Sequence, residues 1–131
     1  MVIKKKLCED VSCWFLNKFL PRHQINLEIQ HRGLKREHAY GYCDYTGQSY
    51  RPRDFLIELD THMNQELYTK TLLHELVHLR QFVTGSLRAK HGKMYYDSTN
   101  VNEFDYENRP HEVEAREQEV ILYLQYRNSH H

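Results

Sequence analysis

The chain has 131 residues, enough for one domain with a single modest core. Hydrophobic residues make up 40% of it and charged residues 27%, which is typical of a soluble globular protein. Because 18 basic and 18 acidic residues cancel, no net field favours nucleic acid, and no apolar run approaches the roughly 18 residues that cross a membrane. Three cysteines without framework spacing favour a reducing compartment, so we expect a cytoplasmic protein.

The first half of the chain predicts one helix followed by three strands. Val11, Trp14, Phe15 and Phe19 recur at helical spacing, which predicts an amphipathic helix over residues 8–20, ended by Pro21. Alternating or tyrosine-rich segments bounded by turn residues then predict the strands. These segments are INLEIQ at 25–30, AYGYCDY at 39–45 and RDFLIELD at 53–60.

The second half predicts two helices separated by a polar stretch. The pattern over 64–82 is helical, and Gly85 is placed to end that helix. Residues 86–109 are polar, with a short hairpin expected around GKMYYDS. Pro110 stands where a last helix, residues 111–126, would begin. This order of elements predicts an α+β fold in a single domain, residues 1–131.

The stretch TLLHELVHLRQF, residues 71–82, carries the strongest chemical signal. Residues four apart on an α-helix share one face, so His74 and His78 can present two imidazoles to one metal ion. Glu75 can reach a water molecule beside that ion. The alternative is an amphipathic helix that carries two histidines by chance. However, a buried histidine pair among leucines needs a metal or polar partners to offset its desolvation, so we predict a metal site.

The motif supplies two ligands, whereas catalytic zinc takes three from the protein and keeps its fourth position open. One downstream candidate for the third ligand is His91, in KHGKMYY. The other is an acidic cluster in the last predicted helix. That cluster consists of Glu112, Glu114, Glu117 and Glu119.

A helical wheel ranks these glutamates once the apolar arc of the last helix is taken as the face toward the core. That arc consists of Val113, Val120, Ile121 and Leu124. Glu114 falls at its border, where a carboxylate can reach inward, and Glu117 falls within it, where it can orient a histidine. Glu112 and Glu119 fall on the far side and are expected to face solvent. We therefore predict Glu114 as the third ligand, with His91 as the alternative.

The segments HELVH and RPHEVEARE together resemble the arrangement in gluzincins, zinc metallopeptidases in which a glutamate on a later helix completes a His, His, Glu site. In that group the ligand glutamate is often followed directly by alanine, as Glu114 is by Ala115. The size and element order resemble minigluzincins. The last helix resembles the R-P-W-E-x-E-A stretch of small, phage-associated, SprT-like metallopeptidases, with His111 in place of tryptophan. The resemblance covers about residues 53–126 and implies a zincin-like fold that binds zinc.

The predicted activity is hydrolysis of a peptide or protein substrate. His74, His78 and Glu114 would hold zinc, and Glu75 would accept a proton from the attacking water and pass it to the leaving amine. A further donor has to stabilise the oxyanion, and the sequence does not select among its candidates. These candidates are Tyr95, Tyr96, Tyr106 and His111. In gluzincin-like folds an edge strand before the HExxH helix pairs with substrate, and DFLIELD is the strand in that position here.

Two alternative functions stay open at this point. One is a zinc-stabilised binding module without turnover. The other is a SprT-like protease acting on DNA-associated proteins, with His91 of the His91-Gly92 pair as third ligand. Because the chain has neither a basic groove nor a second zinc module, direct contact with nucleic acid is not expected. His130 and His131 resemble the remnant of a purification tag and are left out of these assignments.

Overall fold

The computed structural model describes residues 2–130, with side chains from residue 5 onward, so that His131 lies outside the described residues. The described chain has an α+β architecture, as predicted. Three α-helices and six short strands follow one another along it. They are α1 (Val2–Phe19), β1 (Asn26–Arg32), β2 (Gly41–Thr46), β3 (Asp54–Asp60), α2 (Gln65–Thr84), β4 (Leu87–Lys90), β5 (Lys93–Tyr96), β6 (Thr99–Asn100) and α3 (Pro110–Ser129).

The first sheet has the order β1-β3-β2, with β3 parallel to β1 and antiparallel to β2. The alternating residues Phe55, Ile57 and Leu59 of β3 are buried against the helices. The expectation that DFLIELD is a free edge strand is therefore wrong, because β3 is hydrogen-bonded on both sides. The free edges of this sheet belong to β1 and β2.

The helix α2 is the centre of the fold, since it packs against α1, α3 and the first sheet. The Asn64 side chain caps its first turn by accepting a hydrogen bond of 2.8 Å from the backbone N–H of Leu67. Gly85 ends the helix in the left-handed conformation at φ 85°, as its position in the sequence predicted. The strand β2 runs close to this helix at Gly41, where an added Cβ would lie 3.0 Å from the Thr71 methyl group.

The predicted hairpin around GKMYYDS is part of a second, smaller sheet with the order β4-β5-β6. It follows α2 directly and leads through two short 3-10 turns to α3. Pro110 occupies the first turn of α3, where the missing proline N–H costs no hydrogen bond. None of the three α-helices in the described part of the chain combines the length and apolar character needed to span a bilayer.

The orientation of α3 differs from the predicted one. The apolar residues Val120, Ile121 and Leu124 are exposed, whereas Ala115 and Leu122 are buried against the rest of the fold. The buried stripe follows a spacing of three and four residues and includes the small residue Ala115, which is completely buried. The choice of the larger apolar arc as the core face is therefore wrong, and the expected positions of the glutamates change with it.

Candidate metal centre

His74 and His78 lie one turn apart on α2, on the side that faces α3. Their ring centroids are 4.9 Å apart, and the two rings are nearly perpendicular. The surrounding leucines of α2 are fully buried, and the histidine side chains are only 16% and 9% exposed. The helical spacing therefore places both imidazoles in one desolvated position, as predicted from the motif.

The third group at this position is Glu112, from the first turn of α3. Its Oε1 lies 3.0 Å from Nε2 of His74 and 3.2 Å from Nε2 of His78. The three ligand atoms all lie within 4.8 Å of one another. Ligand atoms around a tetrahedral zinc ion stand about 3.3 Å apart, given metal–ligand bonds of about 2.0–2.1 Å. The group of His74, His78 and Glu112 can thus hold a metal ion.

The geometry brings Glu112 to the histidines in place of Glu114, the predicted third ligand. Glu114, which was expected to reach the histidines, instead accepts a hydrogen bond of 2.7 Å from Nε2 of Gln81. Glu112 was expected to face solvent but is only 6% exposed. Glu112 rather than Glu114 reaches the histidines because α3 turns its Ala115 stripe toward α2 and leaves Val120, Ile121 and Leu124 exposed.

The orientation of the His78 ring follows from a chain of hydrogen bonds through Gln81. The amide nitrogen of Gln81 donates to the carbonyl of His111 at 3.1 Å and to Glu114 at 2.7 Å. The amide oxygen of Gln81 therefore faces His78 and accepts the Nδ1–H of its ring at 2.8 Å. With Nδ1 protonated, Nε2 of His78 presents its lone pair to the metal position.

Glu119 orients His74 in the same way. Its Oε1 lies 2.8 Å from Nδ1 of His74, so the ring donates this proton and turns Nε2 toward Glu112. Glu119 belongs to the buried stripe of α3 and lies seven residues, about two turns, after Glu112. The prediction that Glu119 faces solvent is therefore wrong. Glu117, which was expected to orient a histidine, is exposed and takes no part in this network within the described chain.

The carboxylates make the site favourable for positive charge. Burial lowers the pKa of His74, but hydrogen bonds to Glu112 and Glu119 outweigh it and raise that pKa to about 10. Burial also lowers the pKa of His78, and Glu112 again raises it above the usual value. Burial raises the pKa of Glu112, yet the two histidines hold that pKa well below its usual range. Either protons on the histidines or a bound metal cation can supply the positive charge that these carboxylates favour.

Glu75 is a buried carboxylate beside the histidines. It is 7% exposed, and burial raises its pKa above the usual value, against the opposing influence of His78 and His74. Cys43 on β2 lies close enough for its own pKa to be raised by burial and then by the charge of Glu75. The free edge strand β2 therefore borders this side of the site. A carboxylate with a raised pKa can exchange protons nearer to neutrality.

Two of the four candidate donors lie near the histidines. The ring of His111 lies 5.3 Å from that of His78, its Nδ1 is buried without a hydrogen-bond partner in the described chain, and burial lowers its pKa to about 4. Burial and the charge of Glu112 raise the pKa of Tyr106 to about 12. Tyr96 belongs to a different environment, since burial and Glu114 raise its pKa to about 12, and Tyr95 pairs with Asn100 in the second sheet.

His91 is not brought to the site. It is exposed at the turn between β4 and β5, where its backbone has a positive φ of 54°. In the described part of the chain, the group of metal-binding side chains that comes together contains Glu112 and neither His91 nor Glu114. The proposed SprT-like ligand set with His91 therefore lacks support from the geometry.

Three side chains of the candidate centre were not predicted for it from the sequence: Glu112 and Glu119 were expected to face solvent, and Gln81 was not considered. A signal for the two glutamates was present in the spacing of Glu112, Ala115, Glu119 and Leu122, which forms a continuous stripe at intervals of three and four residues. Ala115, the small residue on that stripe, is completely buried. No comparable signal exists for Gln81, because its role depends on acceptors from α3.

The chain matches none of the profiles of known protein families, no curated protein sequence and no solved structure. The resemblance to gluzincins therefore rests on the motifs themselves. The fold and the site define an α+β domain with a candidate metal centre of two histidines and one glutamate.

Proposed function

We propose that this protein is a zinc-dependent hydrolase of peptide bonds. The observation that carries the proposal is the convergence of two imidazole nitrogens and one carboxylate oxygen beside the buried carboxylate of Glu75. Two histidines and one carboxylate form a common ligand set of catalytic zinc sites, which leave a position open. A purely structural zinc site more often has four cysteine or histidine ligands.

In this proposal His74, His78 and Glu112 hold the zinc ion. When bound, zinc supplies Lewis acidity toward a carbonyl group and lowers the pKa of a water molecule. Glu75 accepts a proton from the attacking water at its carboxylate and returns it to the nitrogen of the leaving amine. Its burial supports this role, because a raised pKa makes the protonated form accessible during turnover.

The oxyanion that develops on the substrate needs a donor, and Tyr106 is our choice for it. Its hydroxyl is close enough to Glu112 and Glu75 for both to raise its pKa, so it stays protonated and able to donate at neutral pH. The side chain is largely exposed, so that a substrate can reach it. His111 is neutral at neutral pH because of its lowered pKa, and its ring lies 5.3 Å from that of His78.

An extended polypeptide is the substrate class that fits best. The strand β2 (Gly41–Thr46) has one paired edge, with β3, and one free edge, and it runs beside Glu75. A free edge offers backbone N–H and C=O groups to an extended chain, which adds as another strand. We therefore propose β2, rather than the predicted strand β3, as the strand that pairs with substrate.

The test compares the wild type with Glu75→Gln after loading with zinc. We expect the wild type to bind about one zinc ion per chain and to cleave an unfolded protein or a peptide library. Glu75→Gln should keep the zinc and lose at least about 100-fold in kcat/KM, because it can no longer accept the proton. Metal content is measured by mass spectrometry and cleavage by identification of new termini.

Glu66→Gln is the matched control, since Glu66 is an exposed glutamate in the first turn of the same helix. It should leave zinc content and cleavage unchanged. A wild type that binds zinc stoichiometrically but cleaves no peptide in the library would favour the alternative, a zinc-stabilised binding module. Equal cleavage by wild type and Glu75→Gln would remove Glu75 from the mechanism.

A further inference from the structure

The helix α3 has a second apolar face, which no part of the described chain covers. Val120, Ile121 and Leu124 are 48%, 47% and 49% exposed. The other exposed large hydrophobic residues are aromatic, and they lie outside this helix. Three large aliphatic residues exposed on one helix face form a continuous patch, unlike the single exposed residues that are common on protein surfaces.

This face is directed away from the buried residues of α3. At about 100° per residue, Val120 and Leu124 point about 140–180° away from Ala115 and Leu122 and about 80–120° away from Glu112. The patch is therefore not required to build the metal centre. A partner on it would leave the histidines accessible.

We propose that the partner on this face is α3 of a second copy of the chain, packed antiparallel about a two-fold axis. In such a pair, residues at equal distances on either side of the axis face each other. An axis at position 122 sets Val120 against Leu124 of the second copy and Leu124 against its Val120. The same axis sets Glu117 against Arg127 of the second copy, and Arg127 against Glu117 of the second copy.

Charge complementarity supports this register over an unrelated partner. Glu117 and Arg127 are both exposed, lie on the same stripe as Val120 and Leu124, and form no ion pair within the described chain. Because two-fold symmetry repeats each contact, the interface contains two Val120–Leu124 pairs and two Glu117–Arg127 ion pairs. Helices of this kind pack by placing ridges of side chains into grooves, with aliphatic residues at the centre and charges at the rim.

The expected dimer is weak. One helix face buries less than the roughly 800 Å² per partner of a standard stable interface, so we expect a dissociation constant on the order of 10–100 µM. Sedimentation velocity between about 5 and 500 µM covers this range. The wild type should show an average sedimentation coefficient that rises with concentration.

Substitutions in the patch test the surface. Leu124→Glu places a carboxylate at the centre of the interface and should leave the chain monomeric at every concentration. Because Leu124 is exposed, its replacement should leave the circular dichroism spectrum and the thermal midpoint unchanged. The control Glu9→Arg changes a charge on the exposed side of α1 and should dimerise like the wild type.

A charge swap tests the register. Glu117→Arg or Arg127→Glu alone should weaken dimerisation by about 3- to 10-fold, because like charges then face each other. The double variant Glu117→Arg/Arg127→Glu should restore the wild-type constant. A wild type that stays monomeric at 500 µM would overturn the proposal and leave the patch to a different protein, and failure of the swap to restore dimerisation would overturn the antiparallel register.

Discussion

The Glu119 carboxylate of α3 lies 2.8 Å from Nδ1 of His74 on α2, the ring nitrogen that faces away from Glu112. One side chain thus determines both the tautomer and the orientation of a candidate metal ligand. An acidic residue in this position also increases the basicity of the other ring nitrogen, which strengthens its bond to a metal.

Removal of Glu119 should weaken metal binding without abolishing it. We expect Glu119→Ala to lower zinc affinity by about 10- to 100-fold, because His74 loses the acceptor that holds its ring. The affinity is measured by competition with a chromogenic chelator. Glu117→Ala is the control, two residues away on the exposed side of the same helix, and it should bind zinc like the wild type. Equal affinity in the two variants would exclude an orienting role for Glu119.

The identity of the third ligand is tested by one pair of variants. Glu112→Ala should reduce bound zinc from about one ion per chain to nearly none at micromolar protein, since only two protein ligands remain. Glu114→Ala should retain about one ion, because Glu114 reaches the site only through Gln81. Zinc is counted by mass spectrometry after gel filtration. The opposite result would restore Glu114 as the ligand and require α3 to turn.

The metal-free protein should lose stability in mildly alkaline solution. The pKa of His74 is raised to about 10 in the folded state, against about 6.5 when unfolded. Between pH 6.5 and about 10 the folded state therefore binds more protons than the unfolded state. The contribution of His74 to the free energy of unfolding is fully present below pH 6.5 and is lost as the pH rises through about 10. We expect a loss on the order of a few kcal/mol.

Urea unfolding in chelator at pH 6.5 and at pH 10 measures this effect. His74→Gln removes the titrating group, so its stability should fall less between the two pH values than that of the wild type. The comparison cancels the titration of tyrosines and cysteines, which both proteins share. Identical pH dependence in the two proteins would show that His74 is not held in its charged form by the carboxylates.

Asp60 should matter for stability although it belongs to no part of the candidate metal centre. Its Oδ1 accepts the backbone N–H of Leu34 at 2.9 Å, and Leu34 is completely buried in the loop after β1. Asp60→Ala leaves this N–H without a partner and should cost about 1–3 kcal/mol in the free energy of unfolding. Asp54→Ala removes a hydrogen bond of 2.7 Å between exposed side chains, to Asn26, and should cost less than about 0.5 kcal/mol.

The contribution of Asp60 to stability should depend on pH in the opposite direction to that of His74. The backbone N–H of Leu34, acting against some desolvation, holds the pKa of Asp60 below its usual range. Its contribution is present above the unfolded value of about 3.9 and is lost as the pH falls through the lower folded value. Chemical unfolding at pH 6 and at pH 3 should therefore show a smaller acid loss in Asp60→Ala than in the wild type.

Local rules were sufficient for most of the elements. The end of α2 at Gly85 and the start of α3 at Pro110 follow from the conformations that these two residues favour. The three strands of the first sheet follow from alternation and turn residues. The order of the strands in the sheet does not follow from these patterns, because alternation shows which side of a strand is buried but not which strands lie beside it. For this reason β3, which is the central strand, was expected at an edge.

The sequence by itself determined that His74 and His78 share a face with Glu75 beside them, because helical spacing is a property of the backbone alone. Only the tertiary structure decided that Glu112 completes the group and that Glu119 and Gln81 orient it. That decision depends on how α3 rotates against α2. A helix with apolar residues on two faces has two possible orientations, and the observed one buries Ala115 and Leu122 and brings Glu112 and Glu119 to the histidines.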